Sequence, residues 1–263
     1  MISTGEMYGN VQEEKDEFVV LQEKLAKRAE EAKKFAESVP LPPQLKASEI
    51  KLPDFPEEYI EATALETMYN MQEALQNILA AKRGTLAPTN KEDNHQNAKR
   101  SGYFMMSTVT ELFELMEQLE KDNFEVTKEG KAEAVDALHF VYNQLLYLKY
   151  RPKMTLQKFY DIAVEDTKTG TIGSNSLQYL IGDFIVAVGD LYQNGSSYKD
   201  WKTYTEWKED PLKIQELGDK MFIKFVKIFV NLGMTPAEIY KCYRDKNIEN
   251  VNRQMSKTGR YYK

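Results

Sequence analysis

Two short carboxylate pairs stand out for the chemistry they allow: Glu111-Leu-Phe-Glu114 and, further along, Glu133-Ala-Val-Asp136. Residues three apart lie on one face of a helix, so each segment can present two carboxylates side by side. Two such helices packed together would offer four oxygen-donor groups, the ligand type that hard divalent cations such as Mg2+ prefer. The same spacing also arises on an ordinary solvated helix face. At about 100° per residue, Met105, Val109, Leu112, Phe113 and Met116 form one apolar stripe, and Glu111 and Glu114 fall opposite it. Val135, Leu138, Tyr142, Leu145 and Leu146 form the corresponding stripe of the second segment.

Phe140 lies between Glu133 and Asp136 in helical angle, with Asn143 beside it and His139 one step round. A large aromatic on a carboxylate face suits a pocket in which a base stacks on the ring and an amide meets its edge. A second packing contact in a helix buried on two sides is the other reading of Phe140, and a hydrogen-bonded structural histidine the other reading of His139. Near the C-terminus, Lys246, Asn250, Arg253 and Lys257 share one helical face, opposite Ile248, Val251 and Met255. Lys and Arg there can clamp phosphate oxygens, and Asn can bond a base or sugar.

These groups need helices to carry them, and the chain supplies helices. Apolar residues recur at helical spacing in Gln12–Ser38, Glu57–Lys82, Met105–Lys121, Lys131–Tyr150, Leu156–Val164, Leu177–Tyr192, Pro211–Leu232 and Pro236–Met255. Thr235-Pro-Ala-Glu238 has the chemistry of a helix start, with Thr as cap and Glu at the capping-box position. No alternating strand with a hairpin turn stands out, so the expected fold class is all-α. Pro40, Pro42, Pro43, Pro53 and Pro56 make an extended connector. Residues 1–56 are therefore expected to form a helical extension with its connector, and 57–263 the main domain.

Composition narrows the function. The chain has 263 residues, 42% of them hydrophobic, enough for a sizeable core. A net charge of -6 argues against a general nucleic-acid coat but not against a local phosphate pocket. The single cysteine, Cys242, excludes an internal disulfide and suits a reducing cytoplasm. No apolar run approaches the roughly 20 residues of a membrane span, and the acidic N-terminus lacks the pattern of a secretory signal.

Taken in order, these pieces resemble the dimeric dUTPases within the all-α nucleotide pyrophosphatase superfamily. The matching residues are Glu111-x-x-Glu114, Glu133-x-x-Asp136, the following His139-Phe140, and Lys246-Asn-Ile-Glu-Asn250-Val-Asn-Arg253-Gln254 with Gly259 and Tyr261 after it. Tyr69-Asn70-Met71-Gln72 corresponds to the family's early Gln/Asn helix, which makes Gln72 a candidate. The resemblance implies hydrolysis of a deoxynucleoside triphosphate, dUTP first, to the monophosphate and pyrophosphate. It further implies Mg2+ held by Glu111, Glu114, Glu133 and Asp136, with Glu114 or Glu111 orienting or deprotonating the attacking water. Lys246, Arg253 and Lys257 would bind phosphates, and Gln72, His139, Phe140, Asn143 and Asn250 the nucleoside. Residues 155–233 would be a helical insertion capping the site, and the enzyme a homodimer. The family's Trp-rich stretch is replaced by Leu119-Glu-Lys-Asp-Asn-Phe124. That departure keeps a dCTP-directed or MazG-like pyrophosphatase as a rival. A non-catalytic helical adaptor is the rival from another class, favoured by the Glu/Lys-rich first helix and the proline connector.

Overall fold

The computed structural model describes residues 55–83, 94–169, 176–195 and 210–255. The expected helix Gln12–Ser38, most of the proline connector, Lys257, and Trp201 and Trp207 of the insertion lie outside the described residues. Among those described, the chain is all-α, with α1 Ala64–Arg83, α2 Asn94–Lys121, α3 Lys128–Tyr147, α4 Leu156–Thr169, α5 Leu177–Asp190, α6 Pro211–Asn231 and α7 Pro236–Met255. A short π-helical turn, Leu191–Gly195, extends α5.

The most extensive packing is between α2 and α3, an antiparallel pair joined by a tight connection. Asn123 and Phe124 take positive φ there, and Thr127 caps α3, its Oγ1 accepting from Gly130 N at 3.2 Å and donating to Asp122 at 2.7 Å. Helix α3 is also packed by α1, α6 and α7. Its residues Ala134, Val135, Ala137, Leu138, Val141, Tyr142, Leu145 and Leu146 are all buried, so it is the central helix. From Ala137 onward this helix is buried on nearly every side, and the polar His139, Asn143 and Gln144 are enclosed with it.

The end of α3 is locked in place. Lys149 reverses the chain with φ 57°, and Tyr150 OH bonds Asp219 on α6. A Cβ at position 218 would overlap the Tyr150 ring, so only glycine lets α6 approach this closely. The Thr235 cap is present as expected, with Glu238 N–H donating to Thr235 Oγ1 at 3.3 Å and Thr235 N–H to Glu238 at 2.8 Å.

Three expectations change. Helix α2 starts at Asn94 rather than near Met105, because its first turns carry a buried face made of Asn97, Ala98, Ser101 and Phe104 rather than of large aliphatics. Its core stripe is Phe104, Thr108, Leu112, Leu115 and Leu119, while Phe113 is 60% exposed. The helix is thus rotated from the orientation that its methionines suggest, and Glu111 falls beside the buried stripe instead of opposite it. Helix α7 likewise buries Tyr240, Tyr243, Asn247 and Val251 and leaves Met255 exposed.

Candidate active site

The rotation of α2 has a direct chemical consequence. Glu111 from α2 and Glu133 and Asp136 from α3 bring one ligand atom each to within 4.8 Å of one another. Glu114 is exposed and stands outside this set, although its charge acts on both Glu111 and Glu133. Burial, followed by the like charges of Glu114, Asp136 and Glu133, pushes the Glu111 carboxyl up to about 7. Burial also raises Glu133 and Asp136. On Asp136 this is opposed by Lys246, whose Nζ donates to Oδ2 at 2.8 Å. Three half-buried carboxylates with one ammonium between them leave surplus negative charge in a small volume. The donor set fits a hard divalent cation, which takes oxygen ligands and would relieve that repulsion.

One turn further along α3, a cleft of about 330 Å3 opens. Gln72 from α1, His139, Phe140 and Asn143 from α3, and Asn250 from α7 all line it. Gln254 of the late motif lines it too, together with Arg100, Tyr103, Phe104 and Tyr147, which were not proposed as site residues from the sequence. Phe140 and Phe104 stack at 6.2 Å and 27°, Phe104 and Tyr147 at 5.5 Å and 24°, and Arg100 covers Tyr147 at 5.8 Å. This aromatic wall was partly legible: Phe140, Asn143 and Tyr147 share one helical stripe. Arg100 and Phe104 were missed because they precede Met105, where the helix was expected to begin. Phe140 packs on Phe104 and also lines the cleft.

A family model described as dUTPase matches residues 64–258. The chain belongs to the dUTPase family. No curated protein and no solved structure matches it. Membership makes the protein a nucleotide pyrophosphatase, a hydrolase of nucleotide metabolism with an all-α fold, and the family suggests a divalent metal requirement that the carboxylate cluster can meet. No described helix is long and apolar enough to cross a membrane.

In this dUTPase-family chain the polar floor of the cleft is a hydrogen-bond network centred on Gln72. Gln72 Oε1 meets His139 Nδ1 at 2.8 Å, Tyr243 OH at 2.8 Å and Asn247 Nδ2 at 3.1 Å. Gln72 Nε2 donates to Asn143 Oδ1 at 2.7 Å. Tyr243 also stacks on the His139 ring at 4.2 Å and 19°. Burial holds the imidazole well below its ordinary value, at about 3, so His139 is neutral. The remaining late-motif residue behaves differently. Arg253 is exposed and paired with Glu249 at 2.6 Å, one turn back on its own helix. Its charge still acts on Asp136, which places it on the carboxylate side of the site.

Proposed function

We propose that the protein is a Mg2+-dependent dUTP pyrophosphohydrolase, releasing dUMP and pyrophosphate, and that it works as a cytoplasmic homodimer. The observation that carries this reading is the order of groups along α3. Glu133 and Asp136 come first, then Phe140 and Asn143 on the following turns. Asp136 and Asn143 are seven residues apart, about 10 Å along the axis, which suits a triphosphate at one end and a base at the other.

Glu111, Glu133 and Asp136 hold Mg2+, with Glu114 at the rim. Bound there, Mg2+ supplies charge neutralisation for the phosphates and a more acidic water. Glu111 would accept the proton of the attacking water as the water oxygen bonds to phosphorus and the bridging P–O bond breaks. Glu114 orients that water. Lys246, Arg253 and Lys257 neutralise the phosphate chain. Phe140 stacks on the nucleoside, and Gln72, His139, Asn143 and Asn250 form its polar surround. Residues 155–233 act as the helical cap. The homodimer reading is supported by an exposed apolar row on α2, with Tyr103 at 70%, Met106 at 58% and Phe113 at 60%.

The test is pyrophosphate release from a panel of deoxynucleoside triphosphates by the full chain. Release from dUTP ahead of dCTP, dTTP and the purines, abolished by EDTA and restored by MgCl2, is expected. Absence of pyrophosphate from every nucleotide with Mg2+ or Mn2+ would remove the reading.

A further inference from the structure

Gln72 occupies a position that its neighbours over-determine. One terminal atom of its amide meets three polar groups, on His139, Tyr243 and Asn247, and the other meets one, on Asn143. An amide nitrogen has only two hydrogens, whereas an amide oxygen accepts from several donors. The three-contact atom is therefore the oxygen, and the orientation of the amide is decided. Two consequences follow on the cleft side. Gln72 Nε2 must donate to Asn143 Oδ1, which leaves the Asn143 amide N–H groups as the donors facing a ligand. His139, neutral and donating from Nδ1, is left with a lone pair on Nε2. That atom is buried and has no partner among the described residues, a costly state, and the residue that carries it lines the cleft.

We propose that Tyr243 and Asn247 are positioning residues that set the direction of the Gln72 amide and, through it, the donor–acceptor order that Asn143 and His139 offer the base. The inference rests on the reading of the cleft as the base pocket. The order is one donor beside one acceptor. It complements a carbonyl next to an N–H, as in the O4 and N3–H of uracil. Cytosine presents an amino group and a bare N3 at the same two places, so each contact opposes like with like. Base choice in this chain thus originates on α7 and α1, in residues that need not touch the nucleotide. A site built on such hydrogen bonds rejects the wrong pattern by leaving buried groups unpaired.

The test has two arms and uses the full-length protein with Mg2+. The first reads the ratio of kcat/KM for dUTP to that for dCTP. In Gln72→Glu the acceptor for Tyr243 and Asn247 remains, but no N–H is left for Asn143, whose amide must turn its oxygen to the cleft. In Asn247→Asp the three-contact position gains an acceptor in place of a donor, so the Gln72 amide reverses and Asn143 with it. Each variant should lower the ratio by at least about tenfold. A purely structural role would lower both substrates together and leave the ratio as in the wild type, and that result in both variants overturns the proposal. The second arm needs no variant. The chain has two histidines, so 15N imidazole spectra resolve His139, and the proton should be on Nδ1. A proton on Nε2 overturns the proposal. If the wild type hydrolyses neither nucleotide, the reading of the cleft fails and the proposal with it; turnover with an unmoved ratio overturns the positioning role alone.

Discussion

Along α3, Glu133 and Asp136 keep partly open surroundings, whereas His139 and Asn143, one and two turns on, are 5% and 3% exposed. At the first end the protein concentrates like charge and leaves it incompletely neutralised, with a single ammonium, Lys246, against Asp136. At the second, neutral amides, a phenol and an imidazole are hydrogen-bonded around Gln72, with Arg100 further along the wall over Tyr147. The carboxylate end can respond to cations and pH, because charged groups near water titrate and exchange partners cheaply. The amide end keeps His139 neutral above about pH 3, so near neutrality its arrangement is set by shape and hydrogen-bond direction. A single helix thus carries a charged end and a neutral, hydrogen-bonded end two turns apart.

The largest effect should come from breaking the charged end alone. Asp136→Asn preserves volume and hydrogen-bonding capacity at a partly exposed position, so the helical fold and melting temperature should persist. Turnover should fall on the order of a hundredfold or more. Wild-type turnover in this variant would show that the carboxylate cluster is only a solvated surface.

pH separates the two ends with opposite signs. Between 4.5 and about 7 the folded protein holds a proton on Glu111 that the unfolded chain has lost. The Glu111 contribution to stability therefore declines as pH rises through that window. His139 runs the other way. Between about 3 and 6.5 the unfolded chain carries a proton that the folded state excludes, so its contribution favours folding as pH rises. In metal-free protein, Glu111→Gln should gain melting temperature relative to the wild type as pH goes from 4.5 to 7. Mg2+ affinity of the wild type should climb across the same range and level off above it. A Mg2+ affinity independent of pH would contradict the assignment of Glu111 as a ligand.

The smallest effect sharpens the role of Lys246. In the metal-free protein its ammonium is bonded to Asp136 at 2.8 Å, where it opposes an incoming cation. Lys246→Met should tighten Mn2+ binding in the absence of nucleotide about two- to fivefold, a size typical of a partly exposed ion pair. The same variant should weaken nucleotide binding. Calorimetric titration of Mn2+ with and without a non-hydrolysable dUTP analogue measures both. Unchanged or weaker Mn2+ binding would show that Lys246 does not compete for Asp136.

Much of this was legible in the residues themselves. Carboxylates three apart, an aromatic and an amide on the next turns, the Thr235–Glu238 cap and the helical periodicity of α3 are local patterns, and local patterns follow from the geometry of 3.6 residues per turn. They determined the helical class, the chemical identity of the candidate site and the family resemblance. What they could not determine was rotation. On α2 the methionines, Val109 and Phe113 outweigh Ser101 and Thr108 in hydrophobicity, yet Ser101 and Thr108 are fully buried and Phe113 is not. Close packing between α2 and α3 selects small side chains for the seam, whatever their polarity. That choice turns Glu111 inward to meet Glu133 and Asp136, and carries Arg100 and Phe104 into the cleft wall. The Gln72 network lay further out of reach. Its members are 67, 71, 171 and 175 positions from Gln72 in the chain, and no local period links such residues. Sequence supplied each donor and acceptor; which of them met, and in which direction each amide points, was decided only when α1 and α7 closed on α3.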